Sequence, residues 1–144
     1  MIMIYKEQPE DFSPRFEVVS CFCEYEGKML LLERQDGKSE GGKWGVSAGK
    51  IDKGETSMEA IQREIGEETG LFIPPCRIDY FGKVYVKYPD YDFVYHMFYA
   101  ALENDGIKIN HKEHKDYAWV SPPDALEMNL VMDEDECIRM FYRI

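Results

Sequence analysis

The sequence predicts an α/β fold, a sandwich of helices around a mixed β-sheet. Three observations predict it. Apolar runs of strand length are interleaved with three helical stretches of different length. The 144 residues suit one domain spanning 1–144, long enough to bury a core without disulfides or a structural metal. A composition of 44% hydrophobic and 31% charged residues is that of a globular chain, not a disordered one.

The elements follow in order. Phe16 to Glu26 reads as a strand, Gly27-Lys28 as a turn and Met29 to Arg34 as the returning strand. Gln35 to Lys43 carries three glycines and reads as a loop, and a short strand near Trp44 to Ser47 leads into Gly49 to Gly54. Thr56 and Glu59 have capping-box spacing, so a helix starts there. Gly70 suits its left-handed cap, and Pro74-Pro75 stops continuation. Strands are expected at Ile78 to Tyr88, Phe93 to Leu102, Ile107 to Ile109 and Tyr117 to Val120. Pro122-Pro123 opens a short helix, and Asp133 with Glu136 caps a last one through Phe141.

Charge narrows the partners. Seventeen basic against 28 acidic residues leave −11, which argues against a nucleic-acid polymer and against an anionic membrane surface. A small phosphorylated ligand is compatible if cations shield it. No apolar run approaches a membrane span, and Met1 to Glu7 lacks the features of a secretory signal. The cysteines at 21, 23, 76 and 137 match no zinc spacing and read as buried thiols. A reduced, cytoplasmic protein is expected.

On the central helix, Glu64, Glu67 and Glu68 fall within one arc of about 100°. Met58, Ile61 and Ile65 form a neighbouring arc that faces the sheet. Carboxylates so placed repel one another, and either solvent with Arg63 and nearby lysines or a divalent cation must compensate. From Gly49 to Leu71 the chain reads G-x5-E-x7-R-E-I-x-E-E-x-G-L, carried by Gly49, Glu55, Arg63, Glu64, Ile65, Glu67, Glu68, Gly70 and Leu71. This pattern resembles the signature of the Nudix hydrolase superfamily at all of its specified positions. The segment ahead of it departs from the common Pro-Gly-Gly, with Ser47-Ala48-Gly49 instead.

The resemblance implies a Nudix-type α/β/α sandwich whose helix presents glutamates to Mg²⁺, or Mn²⁺, ions. By the same resemblance, Glu67 and Glu68 are metal ligands with the Gly49 carbonyl nearby. Glu64 is a ligand or the base, and Arg63 and Glu55 orient the carboxylates. Glu113, six residues before Trp119, matches an auxiliary glutamate of several family members. The chemistry agrees with these roles. Cleaving a phosphoanhydride with water spreads charge over phosphoryl oxygens, so cations and positioning dominate.

Weaker signals remain. Lys83, Tyr85 and Lys87 alternate on one strand face and read either as a phosphate-and-base contact or as a solvated face. Arg34 suits a salt bridge or a phosphate contact. Trp44 reads as core support for the motif loop ahead of a base-stacking platform, and His111 and His114 as part of a solvated loop ahead of a metal cluster. Gly66, mid-helix, costs about 1 kcal/mol relative to Ala. The expected activity is metal-dependent hydrolysis of a nucleoside diphosphate linked to another moiety, by a monomer or homodimer acting on a small nucleotide or other diphosphate. A ligand-sensing module without catalysis and an isoprenyl diphosphate isomerase on the same fold are the alternatives.

Overall fold

The computed structural model describes residues 3–144. Its sheet is organised by the long strand β2 (Pro14–Tyr25), with β1 at Met3–Tyr5, β3 at Lys28–Arg34, β4 at Trp44–Gly45 and β5 at Ser47–Lys50. Helix α1 (Ser57–Thr69) is followed by β6 (Ile78–Lys87), β7 (Asp92–Ala101), β8 (His114–Val120), α2 (Pro122–Ala125) and α3 (Glu134–Tyr142). The main path runs β1-β6-β7-β2-β3-β4, with β5 on β2 and β8 on β3. β2 and β7 run parallel while the other pairs are antiparallel, so the sheet is mixed.

β2 is covered on both faces, which is why Val19 to Cys23 is buried without alternation. On one face Val19, Cys21, Leu30, Leu32 and Phe98 pack against Ala60, Ile61 and Ile65 of α1. On the other, Phe22, Leu31, Val84 and Met97 pack against Ala125 of α2 and Cys137 and Ile138 of α3. The expected sandwich is present. Midway along, at Val18 to Cys21, β2 pairs with β5, and at its end, Glu24 and Tyr25, with β3, so the sheet forks on that side of the strand.

Local signals placed α1 well. Thr56 accepts from the Glu59 amide at 3.1 Å, Glu59 accepts from the Thr56 amide at 2.9 Å, and Gly70 caps the far end at φ 75°. Four expectations need correcting. Ile107 to Ile109 forms no strand; Lys108 donates to the Thr69 carbonyl at 2.9 Å, so the segment is tied to the end of α1 instead of a sheet edge. Asp133 does not cap α3 with its side chain; it is left-handed at φ 67°. Cys76 is exposed in a short 3-10 turn, while the other three thiols are buried. The first hairpin turns on Glu26-Gly27, both at positive φ, one residue earlier than expected. Among the described residues no helix is long and apolar enough to cross a membrane.

Candidate active site

The arc of glutamates is graded by depth. Glu68 is buried, the Glu64 side chain is nearly so, and that of Glu67 is 56% exposed. The grading follows from helix geometry, because successive positions rotate from the sheet towards water. Glu68 Oε1 accepts from the Ser47 hydroxyl at 2.6 Å and from the Ala48 amide at 3.0 Å, which fixes α1 to β5. Burial, and next to it the Glu64 charge, push the Glu68 carboxyl up to about 8 despite those two bonds. Burial also raises Glu64, against the pull of Arg63.

Arg63 is the hub. It grips Glu55 with two bonds of 2.7 and 3.0 Å, donates to Glu64 at 2.7 Å and to the Lys50 carbonyl at 3.0 Å, and reaches Glu67 at 3.4 Å. The guanidinium holds the Glu55 carboxyl below the usual range, and Glu55 in turn accepts from the Asp52 amide at 2.8 Å. The motif loop is therefore strapped to the helix by ion pairs. Gly49 has a steric reason: a Cβ there would collide with the Glu64 carboxyl. No such reason applies to Gly66, whose added Cβ would meet only the Leu71 carbonyl oxygen at 3.7 Å.

Arg34, Gly49, Glu64, Glu67, Glu68 and Glu113 line one cleft of about 320 Å³, so the structure brings these expected residues together. Arg34 is steadied by the Ser39 carbonyl at 2.7 Å, and half-exposed Glu113 lies 3.4 Å from Lys38. His114 belongs here too, contrary to its reading as solvated. It is buried, burial and then Arg34 hold its imidazole below the usual value, and Nε2 lies 3.8 Å from Glu68 Oε2. Nothing in the local pattern His-Lys-Glu-His marks which histidine turns inward.

Lys83, Tyr85 and Lys87 do not reach this cleft, because β7 and β2 separate β6 from β5 and α1. Lys87 is paired with Asp92 at 3.3 Å, Tyr85 packs edge-on against Phe12, and Lys83 lies over the Tyr85 ring. The stripe is spent on local packing.

A second cleft, of about 300 Å³, opens beside the first and shares Ala48 with it. Phe16, Tyr88, Tyr91, Phe93 and Tyr95 supply aromatic walls, and Lys50 lies 4.2 Å above the Phe16 ring at its edge. Glu134 forms part of its lining. One carboxylate oxygen accepts from the Val46 amide at 2.9 Å and the other has no partner among the described residues. Burial, with Asp135 and Glu40 adding, pushes the carboxyl up to about 7. The acidic run Asp133 to Glu136 conceals this residue in the sequence; only the left-handed turn at Asp133 sends Glu134 inward.

The donor set of the first cleft suits a hard divalent cation. It offers the carboxylates of Glu64, Glu67 and Glu113, the Gly49 backbone in its lining, and the buried Glu68 carboxyl, pushed up first by burial. Among the described residues no three such side chains stand close enough together to hold an ion as placed; Arg63 pairs with Glu64 and Glu67, and Glu68 faces His114.

A forked mixed sheet with a glutamate-bearing helix strapped to its loop defines a Nudix fold, and the NUDIX domain family matches residues 14–141. The chain belongs to that family and is a hydrolase of the pyrophosphohydrolase kind. It is 29% identical over 133 residues to the nucleoside triphosphatase NudI of Escherichia coli, covering 85% of this chain and 94% of that protein. The crystal structure of a MutT protein from Methanosarcina mazei superposes with a TM-score of 0.77 at 28% identity, over 90% of this chain and 94% of the other. The NUDIX domain of Shewanella oneidensis NrtR, complexed with ADP ribose, shares the fold at 21% identity with a TM-score of 0.76, over 95% and 92%.

Proposed function

We propose that the chain hydrolyses a nucleoside triphosphate, or another nucleoside diphosphate derivative, with a divalent cation, Mg²⁺ in the first place. Water would release a nucleoside monophosphate and either pyrophosphate or a second phosphate ester. The observation that carries this reading is the meeting of two unlike clefts at Ala48, one acidic and one aromatic. A nucleotide has two matching halves. NudI, a nucleoside triphosphatase similar along most of its length, supports the same substrate class.

Glu64, Glu67, Glu68 and the Gly49 carbonyl would hold the cation, which when bound neutralises phosphate charge and makes water more acidic. Arg63 and Glu55 are positioning residues, keeping Glu64 turned inward and the loop closed over it. Arg34 offers its terminal guanidinium nitrogens to a phosphate oxygen, since among the described residues only Nε is taken, by the Ser39 carbonyl. Glu113 is the best-placed acceptor for the water's proton, because Glu64 is engaged by Arg63 whereas Glu113, among the described residues, has only the 3.4 Å side-chain contact to Lys38. Phe16, Tyr88 and Tyr91 give the base flat apolar surfaces.

The test is release of phosphate and pyrophosphate from a panel of nucleoside triphosphates and diphosphate esters, with Mg²⁺ and with excess chelator. Metal-dependent turnover of at least one nucleotide is expected. Tight binding without turnover across the panel would return the chain to the ligand-sensing alternative.

A further inference from the structure

Three independent features single out His114. The ladder between β3 and β8 is irregular: Glu33 faces Asp116, but Arg34 faces His114, so Lys115 is passed over. Side chains alternate along a strand, and omitting one residue reverses the faces beyond it. The bulge therefore puts His114 on the side of Leu30, Leu32 and Arg34, which is the side of α1 and its glutamates. A regular ladder would present Lys115 there.

The imidazole is also 5% exposed, and its Nδ1 has no partner among the described residues. Its Nε2 stands 3.8 Å from Glu68 Oε2, beyond hydrogen-bond reach. A neutral ring carries one N–H and one lone pair, so in either tautomer the buried Nδ1 is unsatisfied, as an N–H without an acceptor or a lone pair without a donor. Leaving such a group buried is costly, and native proteins rarely do so without a use.

We propose that His114 supplies an imidazole nitrogen to the cation held by Glu64, Glu67 and Glu68, so that the site is a mixed nitrogen–oxygen set. This rests on the cation reading above. Oxygen-only sites suit Mg²⁺, whereas an imidazole favours Mn²⁺ and later transition ions. The consequence is a site that accepts Mg²⁺ but discriminates in favour of Mn²⁺.

Mn²⁺ alone is the probe. Loss of the free-ion signal in continuous-wave EPR reports binding, and pulsed EPR reports a nitrogen bonded to the bound ion. Wild-type protein should show ¹⁴N coupling that changes to the ¹⁵N pattern when the chain is made with ¹⁵N-histidine. His111→Ala should keep the coupling. His114→Phe should lose it and weaken Mn²⁺ binding by at least the roughly 10- to 100-fold typical of losing a supporting residue. Mg²⁺ affinity should change less. Bound Mn²⁺ without nitrogen coupling in the wild type overturns the assignment of His114 and leaves the cation reading standing. A wild-type protein that binds no Mn²⁺ overturns both. The decisive measurement uses wild-type protein, so it does not depend on how the variants fold.

Discussion

The carboxylate cleft and the aromatic cleft share the β5 segment, and each hides one glutamate from water. In both, burial is the first cause of a raised carboxyl, to about 8 for Glu68 and about 7 for Glu134. Their company differs. Glu68 has Glu64 next to it in charge and His114 across the gap, a set that a cation can complete. Glu134 sits among aromatic rings with an amide on one oxygen and, among the described residues, nothing on the other, and a proton is what relieves it. On the proposed reading the same residue type under the same desolvation serves two ends: a ligand where other donors converge, an acid held neutral where they do not.

The widest break between the clefts should come from Glu67→Gln or Glu68→Gln. Each removes charge the cation needs and should lower turnover by about 10²- to 10³-fold, with weaker Mn²⁺ binding by EPR. Wild-type turnover in either variant would empty the carboxylate half of its meaning. Glu134→Gln addresses the other half through pH. The native carboxyl keeps its proton above the pH at which the unfolded one releases it. That contribution is whole below about pH 4.5 and lost as pH rises through about 7, roughly 3 kcal/mol in all. Urea unfolding at pH 5 and pH 8 should show a smaller loss in the variant than in the wild type, with or without Mg²⁺, the remainder in metal-free protein being that of Glu68. A difference between wild type and variant that Mg²⁺ abolishes would mean that Glu134 also meets the cation.

Smaller changes sharpen the contrast. Tyr91→Ala removes an aromatic wall and should raise KM for the best nucleotide by about 5- to 150-fold, corresponding to roughly 1–3 kcal/mol per stacked base, with kcat little changed. An unaltered KM would assign the aromatic cleft to something other than the base. Gly66→Ala meets no obstacle and should stabilise the chain by about 1 kcal/mol, seen as a melting point a few degrees higher at unchanged activity.

The legible parts of this molecule are the local ones. The start and end of α1 could be read from Thr56, Glu59 and Gly70, because caps depend on residues three or four apart. The glutamate arc was legible for the same reason, and so was Arg63 beside it. What could not be read depends on register between distant strands. The inward turn of His114 follows from a bulge opposite Glu33 and Arg34, some 80 positions earlier in the chain. The aromatic cleft gathers Phe16, Tyr91 and Glu134 from three remote segments. The stripe of Lys83, Tyr85 and Lys87 had a clear period, but period does not say how many strands lie between a face and a site.

The parallel pairing of β2 with β7 has a kinetic side. Val18 to Glu24 must find Tyr95 to Ala101 across a loop that contains the whole motif, α1 and β6. Closing so long a loop is entropically slow, and its reward arrives only once the strands dock. Before that step the carboxylate helix has no complete sheet to lie on, and the aromatic walls borne by β2 and β7 are apart. A chain emerging from the ribosome would thus carry its entire signature motif for some time as an inert, acidic segment. Competence to bind a nucleotide would appear late and all at once, with the last long-range contact.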